Sequence, residues 1–361
     1  MLTLFIAFLN LYAALLHGPA AADGPPALSK PLKSAWSYST DELLDFSPAV
    51  HGRSLYLPLA GGKVVSVEIA GGNFKWRTEV GGEISAPPAA DDEGVFVSTA
   101  VTTDARARGS KVRGVLRLLS PDGGVTVWVR SLEAPVRGSL AVSEGVLYAA
   151  TSEGRLYAFE GRTGNIKWVR QNGSPFQTSP VVAGGLLFLG DETGSFFALN
   201  LTTGQPVWRY RTPAPLRAQP AVNDGAVFIG SAENVFALEV TTGRLLWRAR
   251  ASGRVQGVAA GQGGLVVTTL DNFVYKYSAA EGKRVWKRRL PARVTASPLV
   301  TVEGVLLSPL SGDEVLILHP DSGRKINSIE VAEDSNTSAA PRLSGDFVIL
   351  CTRRGVYAYT N

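Results

Sequence analysis

A chain of 361 residues with 45% hydrophobic and 19% charged side chains can bury a substantial core and is too apolar for extended disorder. Its formal charge of +5 is spread thinly, without a basic run interleaved with aromatics to follow a phosphate backbone, so no nucleic-acid partner is expected. The single cysteine, Cys351, excludes an intramolecular disulfide, and with His17, His51 and His319 dispersed no residues are spaced for a zinc site, an iron–sulfur centre or a Ser-His-Asp arrangement.

In chain order, Leu2 to Leu16 is apolar except for Thr3 and Asn10, and Gly18-Pro19 and Ala20-Ala21-Ala22 follow it. The pattern predicts an export signal over residues 1–22, cleaved after Ala22, which places the mature chain in the periplasm or outside the cell. A retained membrane anchor is the alternative, but the stretch is shorter than the ~20 apolar residues that span a bilayer. No cysteine stands directly after the apolar stretch, so no direct lipid anchor is expected. Residues 23–33, rich in Pro and Ala, read as a linker, and residues 34–361 as one domain.

That domain repeats. Trp36, Trp76, Trp128, Trp168, Trp208, Trp247 and Trp286 are the only tryptophans, spaced by 39–40 residues except for one step of 52, and a further step of 40 reaches Ile326. Each unit carries short apolar segments such as Leu186 to Leu189 and Phe196 to Leu199, separated by turns, then Thr-Gly or its equivalent, then the tryptophan. Four short strands per ~40 residues are the signature of a propeller blade, whereas helical repeats need apolar spacings of three and four. The fold class is therefore all-β, a single propeller of eight four-stranded antiparallel blades. The strand at Trp36 closes the ring by supplying the last blade's outer edge.

A flat ring on each outermost strand fills the wedge between neighbouring blades, so these tryptophans are docking residues of the core. Gly72, Gly164, Gly204, Gly243, Gly282 and Gly323 occupy the turns before that strand, where positive φ favours glycine. The apolar run Phe347 to Cys351 reads as a buried strand, and its thiol as inert.

The segments Tyr157 to Trp168, Phe197 to Trp208 and Phe236 to Trp247 resemble the tryptophan-docking motif of pyrroloquinoline-quinone-type propellers, and the likeness runs through nearly all of the mature chain. Two branches of that family have this architecture. The quinoprotein dehydrogenases imply a quinone, a calcium ion, a catalytic aspartate and a disulfide between adjacent cysteines. This chain has no cysteine pair and no nameable calcium-binding cluster, so neither cofactor nor enzymatic activity is expected. The second branch, the BamB family of outer-membrane β-barrel assembly, is non-catalytic and resembles this chain in length, blade number and exported location. It implies a protein or peptide partner in the cell envelope. A degenerate quinoprotein or small-molecule binder using the central channel, and a sensor ectodomain, are alternatives. A monomer is expected.

Aligned on a shared proline column, the units carry a polar residue three positions earlier: Asp45, Ser85, Arg137, Gln177, Arg217, Gln256, Thr295 and Ser338. These positions are expected to begin the innermost strands and ring one mouth of the channel. Their side chains either cap strand ends, or Arg137, Gln177, Arg217 and Gln256 form one arc that binds an extended peptide or an acidic group. The long step adds residues between Val97 and Val115, including Arg106, Arg108, Lys111 and Arg113, which form either a solvated loop or a contact element on the same face.

Overall fold

The computed structural model describes residues 25–44, 46–101, 113–261, 264–312, 314–331 and 339–361. Those residues form eight antiparallel sheets and no helix. Seven blades are continuous in the chain: blade 1 (49–79), blade 2 (83–132), blade 3 (141–171), blade 4 (181–211), blade 5 (221–250), blade 6 (255–289) and blade 7 (299–330). Blade 2 has a fifth, two-residue strand, Glu83–Ile84, paired with Gly94–Ala100. Blade 8 takes Arg342–Ser344, Phe347–Thr352 and Gly355–Thr360 from the end of the chain and Lys33–Ser39 from its beginning.

Blade 4 shows how sequence becomes sheet. Its second and third strands, Leu186–Gly190 and Ser195–Asn200, are apolar almost throughout, because each lies between two neighbouring blades and is buried on both faces. The outer strand, Pro206–Arg211, instead alternates and buries only Trp208 and part of Tyr210. Register slips by one residue just before the tryptophan, so Ala198 pairs with Trp208 and Leu199 with Pro206, leaving Val207 half-exposed. The same bulge recurs before each of the seven tryptophans and re-aims the indole.

What the indole meets lies on the next blade. Trp36, Trp76, Trp128, Trp168, Trp208, Trp247 and Trp286 donate their Nε1–H to the carbonyls of Ile69, Pro121, Gly161, Leu201, Val240, Ala279 and Pro320, at 2.7–2.9 Å. Each ring also lies flat against the turn glycine of that blade: a Cβ added at Gly243 would come within 2.5 Å of Trp208, and one at Gly164 within 2.6 Å of Trp128. Positive φ is thus half of the reason for these glycines, and close approach of the preceding blade's indole is the other half. Gly124, absent from the sequence-based set, plays the same part against Trp76.

Ile326 breaks the series for a topological reason. The outer strand of blade 8 arrives from the chain's beginning, so no hairpin turn is present there to offer a glycine and a carbonyl. Residues 27–31 occupy the place: Leu28 is buried against Leu306, Ile317 and Val348, and Asn327 donates to the Leu28 and Lys30 carbonyls. Asn361 closes the junction by accepting from the Ala27 amide and donating to the Ala27 and Pro31 carbonyls. The segment read as a linker is therefore docked in its described part, and Lys33 already belongs to the closing strand, which pairs from Lys33 with Thr360 to Ser39 with Gly355. Residues 1–24, where the export signal is expected, lie outside the described residues.

Cys351 lies in Phe347–Thr352, and burial pushes its thiol up to about 12 despite the opposing influence of Arg342. Little thiolate exists near neutrality. The folded chain at pH 8 is expected to resist iodoacetamide and to react fully in guanidinium; fast alkylation of the native protein would contradict the buried strand.

Candidate functional site

The strand order puts two sets of loops on one face: the connectors between blades, and the turns between second and third strands. The polar column lies in those connectors. Arg137, Gln177 and Arg217 precede the innermost strands Ala141–Ser143, Val181–Ala183 and Ala221–Asn223 by four residues, so they do not begin those strands as expected. The cause is pairing one residue upstream, where Val136 bridges Thr151, Phe176 bridges Asp191 and Leu216 bridges Ser231. Those three apolar side chains are buried and turn the following polar side chain outward. Among the described residues of the column, Gln256 alone lies inside an inner strand, Val255–Gly261.

Adjacent connectors crowd one another where small residues were expected to permit it. A Cβ on Gly138 would meet the Thr178 carbonyl and Ser179, and one on Gly257 would meet the Ala296 carbonyl and Ser297. Ser139 and Ser179 join neighbouring connectors through a hydroxyl pair at 3.0 Å.

The four residues of the expected arc are not gathered into one site. Arg137 lines an open depression of about 510 Å³, shared with Phe46, Ser85, Pro135 and Ser179. Arg217 lines a separate pocket of about 110 Å³. Gln177 instead donates to Glu192 of its own blade at 3.3 Å, and Gln256 to the Val255 carbonyl at 3.5 Å. Ser85 is held by Ser98, and the Thr295 hydroxyl is enclosed without a partner among the described residues. Asp45 and Ser338 lie outside the described residues, as do Arg106, Arg108 and Lys111 of the long step. Arg113 is described, and it joins blade 2 to blade 3 through an ion pair with Glu153 at 2.7 Å.

The Arg137 and Arg217 guanidiniums make no hydrogen bond or ion pair with protein among the described residues. Sequence reasoning missed a third cation, Arg254, which shares the pocket of Arg217. It sits two residues before the polar column, where blades 3, 4 and 5 carry Pro135, Pro175 and Pro215 and blades 6 and 7 carry Arg254 and Arg293. A proline column that turns into arginine was the available signal.

The opposite face differs in charge. Its innermost turns carry Asp91, Asp92, Glu93, Glu144, Asp224, Glu303 and Asp346 against Arg53 and His51, and His51 is bonded to Asp92 at 2.8 Å. The connector face carries acids of its own, among them Glu153, Glu192, Glu233 and Asp271, but its connectors also hold exposed Arg137, Arg217, Arg254 and Arg293, which suits a partner with acidic groups. Among the described residues no three His, Cys, Asp or Glu side chains are grouped to hold a metal ion.

Comparison with known proteins agrees with this architecture. A curated outer membrane protein assembly factor BamB from Burkholderia pseudomallei (strain K96243) is 29% identical over 122 residues, which is 34% of this chain and 29% of that relative. The crystal structure of BamB from Moraxella catarrhalis superposes with a TM-score of 0.77 at 16% identity, over 92% of this chain and 100% of that one. Quinohemoprotein alcohol dehydrogenase from Comamonas testosteroni gives 0.73 at 13% identity, over 94% and 78% of the two chains, so the fold alone is shared with an enzyme. The family match itself covers residues 29–109, 112–218 and 212–360, and the chain belongs to the outer membrane protein assembly factor BamB family.

Proposed function

We propose that this chain is a non-catalytic, exported scaffold that works as a monomer in outer-membrane protein assembly and docks an extended, acidic polypeptide segment on its connector face. The observation that carries the reading is that Arg137 and Arg217 open onto one face with no protein counterion among the described residues. Guanidinium groups bind carboxylates by paired N–H donors and keep their charge at any physiological pH. The basic residues Arg106, Arg108 and Lys111 of the long step add positive charge to the same reading, whereas Arg113 is paired with Glu153, and the family's name supports the setting.

The experiment is affinity co-purification of envelope proteins with the wild type, with Arg137→Ala/Arg217→Ala, and with a chain lacking residues 102–112. Binding is expected to fall at least ~10-fold in the double variant, as for truncation of central arginines in interfaces. Unchanged binding in both variants would discard the face. The likeness to a quinohemoprotein dehydrogenase favours one second reading, a small molecule held in the channel. Spectral titration with pyrroloquinoline quinone and calcium tests it, and no change in the quinone spectrum is expected.

A further inference from the structure

We propose that Arg217 and Arg254 form a binding site for a single oxyanion, supplied by a side-chain carboxylate of a docked polypeptide. The inference rests on the connector face being the docking face, and it names the group that face takes. Arg217 enters blade 5 and Arg254 enters blade 6, yet the two line one pocket of about 110 Å³ walled by Ala214, Gly230, Ala232 and Val255. The wall side chains carry no acceptor. The wall is also tight, since a Cβ on Gly230 would collide with Val255.

The acidic side chains next to the pocket are already engaged. Glu233 is bonded to Arg250 at 2.8 Å. Asp271 lies against Gly253 and accepts from Ser252 and Thr269; burial works against its ionisation, but these hydrogen bonds hold its carboxyl below the usual range. The Ala214 carbonyl takes the hydroxyls of Thr212 and Ser231. Two cations thus share a pocket with no counterion among the described residues, an arrangement that a bound anion relieves.

Size selects the ligand. Sites for whole cofactors run to roughly 300–1,000 Å³, so this pocket admits one carboxylate or one phosphate group and nothing of quinone size. A polypeptide carboxylate is favoured over free phosphate because the pocket opens on the face where Arg137 lines its own depression, two blades away with exposed Gln177 between them. One extended segment can present an acidic residue to each.

Calorimetric titration of the full chain at low ionic strength tests this, with a short peptide of alternating glutamates, its glutamine counterpart, and inorganic phosphate as probes. Wild type, Arg217→Gln, Arg254→Gln and the outer-strand control Arg248→Gln are compared after thermal melts confirm folding. The acidic peptide is expected to bind at least ~10-fold tighter than the glutamine peptide, with each pocket variant losing about that factor and the control losing none. Equal affinity for the two peptides, or loss in the control as large as in the pocket variants, overturns the site. Phosphate binding that needs both arginines while the acidic peptide fails to bind overturns the polypeptide source. A chain that holds the acidic peptide through these arginines yet joins no envelope complex keeps the anion site and discards the scaffold reading, so the two failures are distinct.

Discussion

Trp208→Ala is expected to destabilise the propeller by about 3–5 kcal/mol, the range for truncating a large core aromatic. The indole is 9% exposed, packs on Phe188 and Phe196 with ring centroids 5.8 and 5.9 Å away, and donates to the Val240 carbonyl of blade 5 at 2.8 Å. Truncation opens a cavity between two blades and removes the donor to a carbonyl at their junction. Gly243 cannot fill the gap, because it has no side chain and its positive φ disfavours any replacement that has one. Trp168, only partly buried, should cost less than Trp208 when truncated. Denaturant melts of the two variants check both the size and the order, and a loss below ~1 kcal/mol at Trp208 would contradict blade-to-blade docking.

A larger effect is expected from removing the closure. Without residues 25–39, blade 8 loses its outer strand, and Gly355–Thr360 presents an unpaired edge to solvent. An exposed edge of this kind recruits other chains. The truncated protein should elute as aggregate and lose its cooperative melt. Because such a chain can fail for trivial reasons, Leu28→Ala is the informative companion: the side chain is 1% exposed and joins the segment before the closing strand to blades 7 and 8, so a loss of about 2–5 kcal/mol is expected. A wild-type melt for Leu28→Ala would show that residues 25–32 are a passive leader.

Much of the fold was legible because its device is written in rare residues. Tryptophans at near-constant spacing reported both the period and the blade count, and the lack of a tryptophan strand after the last unit pointed to the closure. The reason for Ile326 was not legible, since it depends on which strand supplies the eighth edge and on Asn327 and Leu28 meeting there. The site was harder. Polarity marked the connector column, but the start of the inner strand is decided by cross-strand pairing at Val136, Phe176 and Leu216, which periodicity does not report. Gln177 and Gln256 looked equivalent to the arginines in sequence, yet short local acceptors occupy them. Arg254 was invisible because it stands in a column that reads as proline in three other blades, and only the fold brings it beside Arg217.

The central claim is that one face of the ring, the connector face, does the binding. Its most direct measurement is photo-crosslinking in the intact envelope, with a photoreactive residue at position 137 or 217 on that face and at position 224 on the acidic face. The account predicts that 137 and 217 capture the same polypeptide while 224 captures none. Capture from 224 alone, or of unrelated products from all three positions alike, would contradict it.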